Sequence, residues 1–134
     1  MMSPAEMLPA ELTVVVPCYN EAANVRPLVA ALDGALTGLR WEVVFVDDNS
    51  PDGTADVVCD VARADPRVRV IRRIGRRGLS SAVIEGCLSS SAEVVAVMDG
   101  DLQPDAGARP GMVRRIRDNA ADIVVASRYV EGGD

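Results

Sequence analysis

The sequence contains no histidine and no lysine; all 14 of its basic residues are arginine. Without lysine there is no P-loop phosphate lysine, no Schiff base and no Ser-Lys dyad, and without histidine there is no imidazole base. A phosphatase of the Asp-x-Asp class, which needs a later lysine, is excluded on the same ground. Cysteines are few: Cys18, Cys59 and Cys87 are odd in number, far apart and without a Cys-x-x-Cys pair. That spacing, with no histidine, excludes a zinc site and points to reduced thiols in the cytoplasm. No apolar run reaches the roughly 18 residues that span a bilayer. Residues 1–11 carry two acidic side chains and no positive charge, which excludes an export signal there. A net charge of −6 argues against nucleic acid as a partner.

What is present is the composition of one folded domain. The 134 residues are 49 % hydrophobic and 25 % charged, enough for a single core. We read 1–11 as a loose leader and 12–134 as the domain. Five short runs rich in Val and Ile, Leu12–Val16, Val43–Val46, Val68–Ile71, Val94–Met98 and Ile123–Ala126, predict parallel strands buried on both faces. Between them, apolar residues at helical spacing predict helices over Ala22–Leu36, Thr54–Ala64, Leu79–Leu88 and Met112–Arg117. Asn20-Glu21, Ser50-Pro51-Asp52 and Gln103-Pro104-Asp105 supply helix-start signals. Gly107, Pro110 and Gly111 interrupt the fourth helix, which is expected to begin late. The alternation specifies an α/β fold: a doubly wound, mainly parallel sheet with right-handed crossovers and helices on both faces.

The polar clusters all follow strand ends: Pro17 to Glu21, Asp47 to Ser50, Arg72 to Arg77, Asp99-Gly100-Asp101, and Ser127-Arg128-Tyr129. In a parallel sheet these ends share one edge, the edge where open α/β sheets bind ligands. Asp99 and Asp101 are the most informative pair. Two carboxylates at a strand tip repel each other unless a cation lies between them, and magnesium or manganese so held keeps positions free for phosphate oxygens. Read alone, the same residues make an ordinary acidic turn.

Five segments carry a resemblance: Val-Val-Val-Pro-Cys-Tyr-Asn-Glu (14 to 21), Val-Asp-Asp-Asn-Ser-Pro-Asp-Gly-Thr (46 to 54), Gly-Arg-Arg-Gly-Leu (75 to 79), Met-Asp-Gly-Asp-Leu-Gln (98 to 103) and Ala-Ser-Arg-Tyr (126 to 129). In order and spacing the chain resembles the N-terminal catalytic part of a family 2 glycosyltransferase with the Rossmann-like GT-A fold. Within that family it is most similar to the dolichol-phosphate mannosyltransferase and polyprenyl-phosphate glycosyltransferase branch.

The resemblance implies a set of roles. Pro17, Tyr19 and Glu21 match the segment around the nucleotide base and ribose. Asp48, or its neighbour Asp47, matches the carboxylate that reads the base, with Asp48 favoured. Asp99 and Asp101 match the metal and diphosphate pair, and Gln103 a further ligand to Mg2+ or Mn2+. Gly100 stands where this branch commonly has Ala, and the residues after Gln103 also depart from its pattern. Apart from the resemblance, Arg72, Arg73, Arg76 and Arg77 form one dense positive cluster on an acidic chain; beside the reading as a solvated loop, one or two of them, Arg76 foremost, are expected to face the donor diphosphate or an anionic membrane surface. Arg128 matches an arginine on the acceptor phosphate, which a guanidinium grips in a bidentate way. Ser50, Asp52 and Gly53 are read as turn and cap.

The implied reaction is inverting, metal-dependent transfer of a hexose, mannose or glucose, from GDP-mannose or UDP-glucose to a polyprenyl phosphate at the cytoplasmic face of the membrane. Asp101 and Arg128 are its expected catalytic residues. A phosphate acceptor is already anionic near neutral pH, so the missing histidine is no obstacle. Two alternatives stand beside it: a family 2 transferase with a hydroxyl acceptor in the cell envelope, and a non-catalytic nucleotide-sugar-binding fragment. The last arises because the chain stops at Gly132-Gly133-Asp134 with no closing helix, so the domain is expected to be incomplete at its C-terminus and its membrane contact to lie beyond it.

Overall fold

The computed structural model describes residues 9–98 and 123–126. Five strands, β1 (Leu12–Cys18), β2 (Trp41–Asp47), β3 (Val68–Arg72), β4 (Val94–Met98) and β5 (Ile123–Ala126), alternate with three helices. These are α1 (Ala22–Ala35), α2 (Thr54–Ala64) and α3 (Leu79–Leu88). The fourth expected helix, 112–117, lies outside the described residues. The strands form one sheet in the order β3-β2-β1-β4-β5, and every pairing is parallel.

Strand alternation divides the core into two layers. Leu12, Val14 and Val16 of β1 and Val43 and Phe45 of β2 face the side covered by α1 and α2, where Val25, Leu28, Leu32 and Val58 complete one cluster. Val15, Val44, Val46 and Val97 face the other side and pack with Ala82 of α3. Helices therefore cover both faces, which is why these strands read as continuous apolar runs rather than alternating ones.

The third helix lies very close to the sheet. A Cβ on Gly86 would fall well inside contact distance of Val15, whose Cγ2 is only 3.1 Å from the position it would take. Only glycine allows this approach, because Val15 is itself fully buried and cannot move aside.

At the opposite end of the sheet a polar set anchors the strand starts. Glu42 accepts two hydrogen bonds from Arg69, at 3.0 and 3.1 Å, and one from Thr13 Oγ1 at 2.6 Å. Glu11, the last residue of the expected leader, donates its N–H to the Arg40 carbonyl at 2.6 Å and accepts the Arg40 N–H on its side chain at 3.0 Å.

The order β3-β2-β1-β4-β5 sets the position of the site. From β1 the chain winds outward through β2 to β3, then returns to the other side of β1 for β4. The direction of winding reverses between β1 and β4, the place where open α/β sheets receive ligands beyond the carboxyl ends of the strands. Val15 is level with Val97, so β4 ends at Met98 two residues short of Cys18, while β2 runs on to Asp47 beside Cys18. The sheet edge steps down at the reversal.

Candidate active-site edge

Three of the five polar clusters lie within the described residues, and they form one connected structure at the carboxyl edge. The β1 tip is tied to the loop after β2 by the N–H groups of three successive residues. Asn20 donates to Ser50 Oγ at 2.8 Å, Glu21 to Thr54 Oγ1 at 3.0 Å, and Ala22 to Asp52 Oδ2 at 3.1 Å. Asp52 also accepts the Thr54 N–H on Oδ1 at 3.0 Å, capping α2 as it caps α1. These bonds hold the Asp52 carboxyl below its ordinary range, with the Thr54 hydroxyl as the main cause. Asn20 adopts a left-handed backbone, φ 56°, which Asn tolerates better than most side chains.

The neighbouring carboxylates of β2 have separate partners because they point to opposite faces. Asp47 is fully buried; it accepts the Ser50 N–H at 3.2 Å and a hydrogen bond from the Ser50 hydroxyl. Asp48 turns to the α3 side and meets Arg73. There Arg73 Nε donates to Oδ1 at 2.6 Å and Nη2 to Oδ2 at 3.1 Å, and the Gly78 N–H adds a bond at 3.3 Å. This fork is the main reason that the Asp48 carboxyl is held below the usual range. Gly78 reaches this carboxylate at φ 123°, a backbone conformation that side chains resist.

Four arginines leave β3 in a short cluster, and each has a different environment. Arg72 donates to Asn49 Oδ1 at 2.7 and 3.0 Å. Arg73 is fully buried. Arg76 binds Glu85 through Nε at 3.1 Å and Nη2 at 2.9 Å. Arg77 lies over the Tyr19 ring, its guanidinium carbon 5.2 Å from the centroid. Tyr19 remains 44 % exposed, leaving ring surface open at the edge. Glu21 sits at the start of α1 and accepts a hydrogen bond from Asn24 Nδ2 at 3.2 Å. Pro17 is part of β1 and level with Val46.

Cys18, between Pro17 and Tyr19, is a buried thiol whose Sγ contacts the Val46 carbonyl at 3.6 Å. Burial, reinforced by Asp47, Glu21, Asp48 and Asp52, pushes its ionisation far upward, so it is no nucleophile.

The arrangement can offer an aromatic face, carboxylate acceptors and arginine donors to one ligand. Among the described residues no group of three or more His, Cys, Asp and Glu side chains could hold a metal ion. Asp99, Asp101, Gln103 and Arg128 lie outside the described residues. Met98, which directly precedes Asp99, is described and ends β4 at the step beside β1.

Sequence reasoning missed two features of this edge. One is the capping of α1 from a loop some 30 residues away, for which local sequence gives no sign. The other is the burial of Arg73. A sign of it was present: Arg73 lies two residues after Ile71, which packs in the α3-side cluster, so strand parity sends it inward on that side.

Fold and edge together define an open, parallel α/β domain with its polar residues gathered at the carboxyl edge of the sheet. The chain belongs to glycosyl transferase family 2, whose family model matches residues 13–134. It is 44 % identical over 123 residues to a dolichol-phosphate mannosyltransferase of Pyrococcus furiosus, covering 92 % of this chain and 34 % of that protein. It is 35 % identical to the dolichol-phosphate mannosyltransferase of Saccharomyces cerevisiae, covering 91 % and 46 %. The chain thus spans between a third and a half of the length of these relatives. Among solved structures it superposes on a mannosyltransferase from Pyrobaculum calidifontis in complex with GDP-Man and Mn2+, with a TM-score of 0.65 and 27 % identity. That match covers 89 % of this chain and 35 % of the other. The sheet with helices on both faces is the GT-A fold.

Proposed function

We propose that the chain forms the donor half of a metal-dependent, inverting glycosyltransferase that moves mannose from GDP-mannose to a polyprenyl phosphate. The observation that carries this reading is the convergence of three polar loops on the carboxyl edge where the sheet reverses direction. Similarity to two dolichol-phosphate mannosyltransferases and to a mannosyltransferase that holds GDP-Man and Mn2+ supports mannose over glucose.

On this reading the open face of Tyr19 packs against the base and Pro17 directs the chain past it. Glu21 accepts hydrogen bonds from ribose hydroxyls, and Asp48 accepts the N–H edge of the base. Asp99, Asp101 and Gln103 would hold Mg2+ or Mn2+, whose chemistry is to offset charge on the departing diphosphate. Arg76 and its neighbours add positive charge beside the diphosphate, and Arg128 grips the acceptor phosphate through paired hydrogen bonds. An acceptor phosphate attacks as an anion, so no proton need be removed from it and a chain without histidine loses nothing. Inversion follows from a single displacement.

The acceptor is lipid-linked, so the reaction is placed at the membrane surface. Among the described residues no helix is long and apolar enough to cross a membrane. The cytoplasmic face is the natural site for an enzyme with three free thiols.

Calorimetric titration of the chain with GDP and UDP in the presence of Mn2+ tests the donor half, and binding that survives Asp101→Ala intact would refute the metal assignment. Transfer of radiolabelled sugar from GDP-mannose to polyprenyl phosphate by the full-length gene product tests the reaction. A product formed only with hydroxyl acceptors would favour the cell-envelope alternative.

A further inference from the structure

All five N–H donors of the Arg73 guanidinium are engaged inside the protein. Nε and Nη2 take the two oxygens of Asp48; Nη2 also reaches the Gly78 carbonyl at 3.0 Å. Nη1 donates to Ser81 Oγ at 2.8 Å and to Glu85 Oε2 at 2.9 Å. The Arg73 backbone N–H donates to the Asp47 carbonyl at 2.8 Å. One fully buried side chain therefore joins the β2 tip, the loop after β3 and helix α3, yet its guanidinium touches none of the groups placed around the ligand except Asp48. We infer that Arg73 is a positioning residue: it fixes the direction and the charge of the Asp48 carboxylate and so sets whether Asp48 can accept the N–H edge of a nucleotide base. This inference rests on the reading of Asp48 as the base-recognising group.

The argument is one of charge and of acceptor capacity. A carboxylate has about four lone-pair sites. Arg73 and Gly78 occupy the side of Asp48 that faces the protein, leaving capacity on its open side. Arg73 also lies between two carboxylates, Asp48 and Glu85, which without it would confront each other. The surroundings add more negative charge: Asp47, Asp52 and Glu21 act with Asp48 on the Cys18 thiol between them. Arg77 is the other cation that acts directly on Asp48, and Arg76 acts on Glu85. Removing Arg73 therefore favours a protonated Asp48, which presents a donor where the base requires an acceptor. Lysine cannot replace it, because one ammonium lacks the planar fork that reaches both oxygens and the flanking groups.

The test is titration of the full chain with GDP in the presence of Mn2+ at several values between pH 5 and 7.5, each variant being read as a ratio to wild type. The ratio cancels protonation of the diphosphate itself. For Arg73→Met the ratio is expected to worsen severalfold on going from pH 7.5 to 5, as a carboxyl left facing Glu85 without its guanidinium loses part of its charge. Arg73→Lys keeps the cation; it is expected to bind GDP several-fold more weakly with an unchanged pH profile. A folded Arg73→Met protein whose ratio stays constant across this range overturns the inference and assigns Arg73 a purely structural role. If Arg73→Met does not fold, wild-type affinity in Arg73→Lys overturns it instead. Asp48→Asn separates the two readings. Undiminished GDP binding in that variant removes Asp48 as the base reader and the inference with it. Lost binding there, with a flat profile for Arg73→Met, sinks only the role of Arg73.

Discussion

The Arg77 guanidinium lies over the ring of Tyr19, joining the loop after β3 to the loop after β1 across the open edge of the sheet. The contact is partly solvated and holds the ring while leaving other ring surface exposed. If that surface receives the base, Tyr19→Phe keeps GDP affinity near wild type and Tyr19→Ala loses most of it. Arg77→Ala should weaken binding about two- to fivefold, the range of an exposed cation–π pair. Calorimetry on the three variants checks the order; equal losses in Phe and Ala variants would mean that the hydroxyl, not the ring, matters.

Acid stability follows from the carboxylates around Arg73. Asp48 and Glu85 are held below their ordinary values of 3.8 and 4.5, Asp48 chiefly by Arg73 and Glu85 chiefly by Arg76. A carboxyl with a depressed native pKa stabilises the fold fully above its unfolded value, and that contribution is lost as pH falls through the native value. Stability should therefore be flat above about pH 5 and decline below 4.5, measured as the urea midpoint. Arg73→Met should cost about 1–3 kcal/mol at neutral pH, because it strips the partly buried Asp48 carboxylate and the Gly78 carbonyl of the hydrogen bonds that hold them. It should also flatten the acid decline. An unchanged decline in that variant would show that other carboxylates govern it.

The same substitution at two helical glycines should have opposite effects. Gly86→Ala forces a methyl group into Val15 and should destabilise by about 1–3 kcal/mol despite the better helix propensity of alanine. Around Gly34 in α1 nothing lies within 4 Å of an added Cβ, so Gly34→Ala should stabilise by about 0.5 kcal/mol. Thermal unfolding of both proteins is the measurement. Partial rescue of Gly86→Ala by Val15→Ala would identify the clash as the cause.

Much of the fold was legible because buried parallel strands announce themselves. Val94–Met98 and Ile123–Ala126 match their predicted bounds, and so do α2 and α3. The misses at strand ends have a physical reason. β1 continues through Pro17 and Cys18, and β2 begins at Trp41, because each is paired to a neighbour there although the apolar run has ended or not yet begun. The clustering of polar residues at one edge could also be expected from the alternation of elements. What could not be read was how the arginines divide their work. Arg72, Arg73, Arg76 and Arg77 look alike as a charge run, yet Arg73 is wholly buried between two carboxylates, Arg76 binds one carboxylate from an exposed position, Arg72 binds an amide and Arg77 lies on an aromatic ring. That division depends on Glu85, Asp48 and Tyr19, which are distant in sequence.

The bonds from Asn20, Glu21 and Ala22 to Ser50, Thr54 and Asp52 have a consequence for how this edge can treat an anion. In many nucleotide-binding α/β folds the first helix presents free amide groups to a phosphate, and its dipole neutralises part of the charge. Here the two amides before α1 and that of Ala22, its first residue, are spent on oxygens of the chain itself, and the Asp52 carboxylate already occupies the positive end of α1. A diphosphate arriving at this edge gains little from the helix and must be neutralised by other means. On the proposed reading guanidinium groups and a divalent ion remain for that task, so the donor's leaving group would be tied to side chains and a counter-ion rather than to the backbone scaffold.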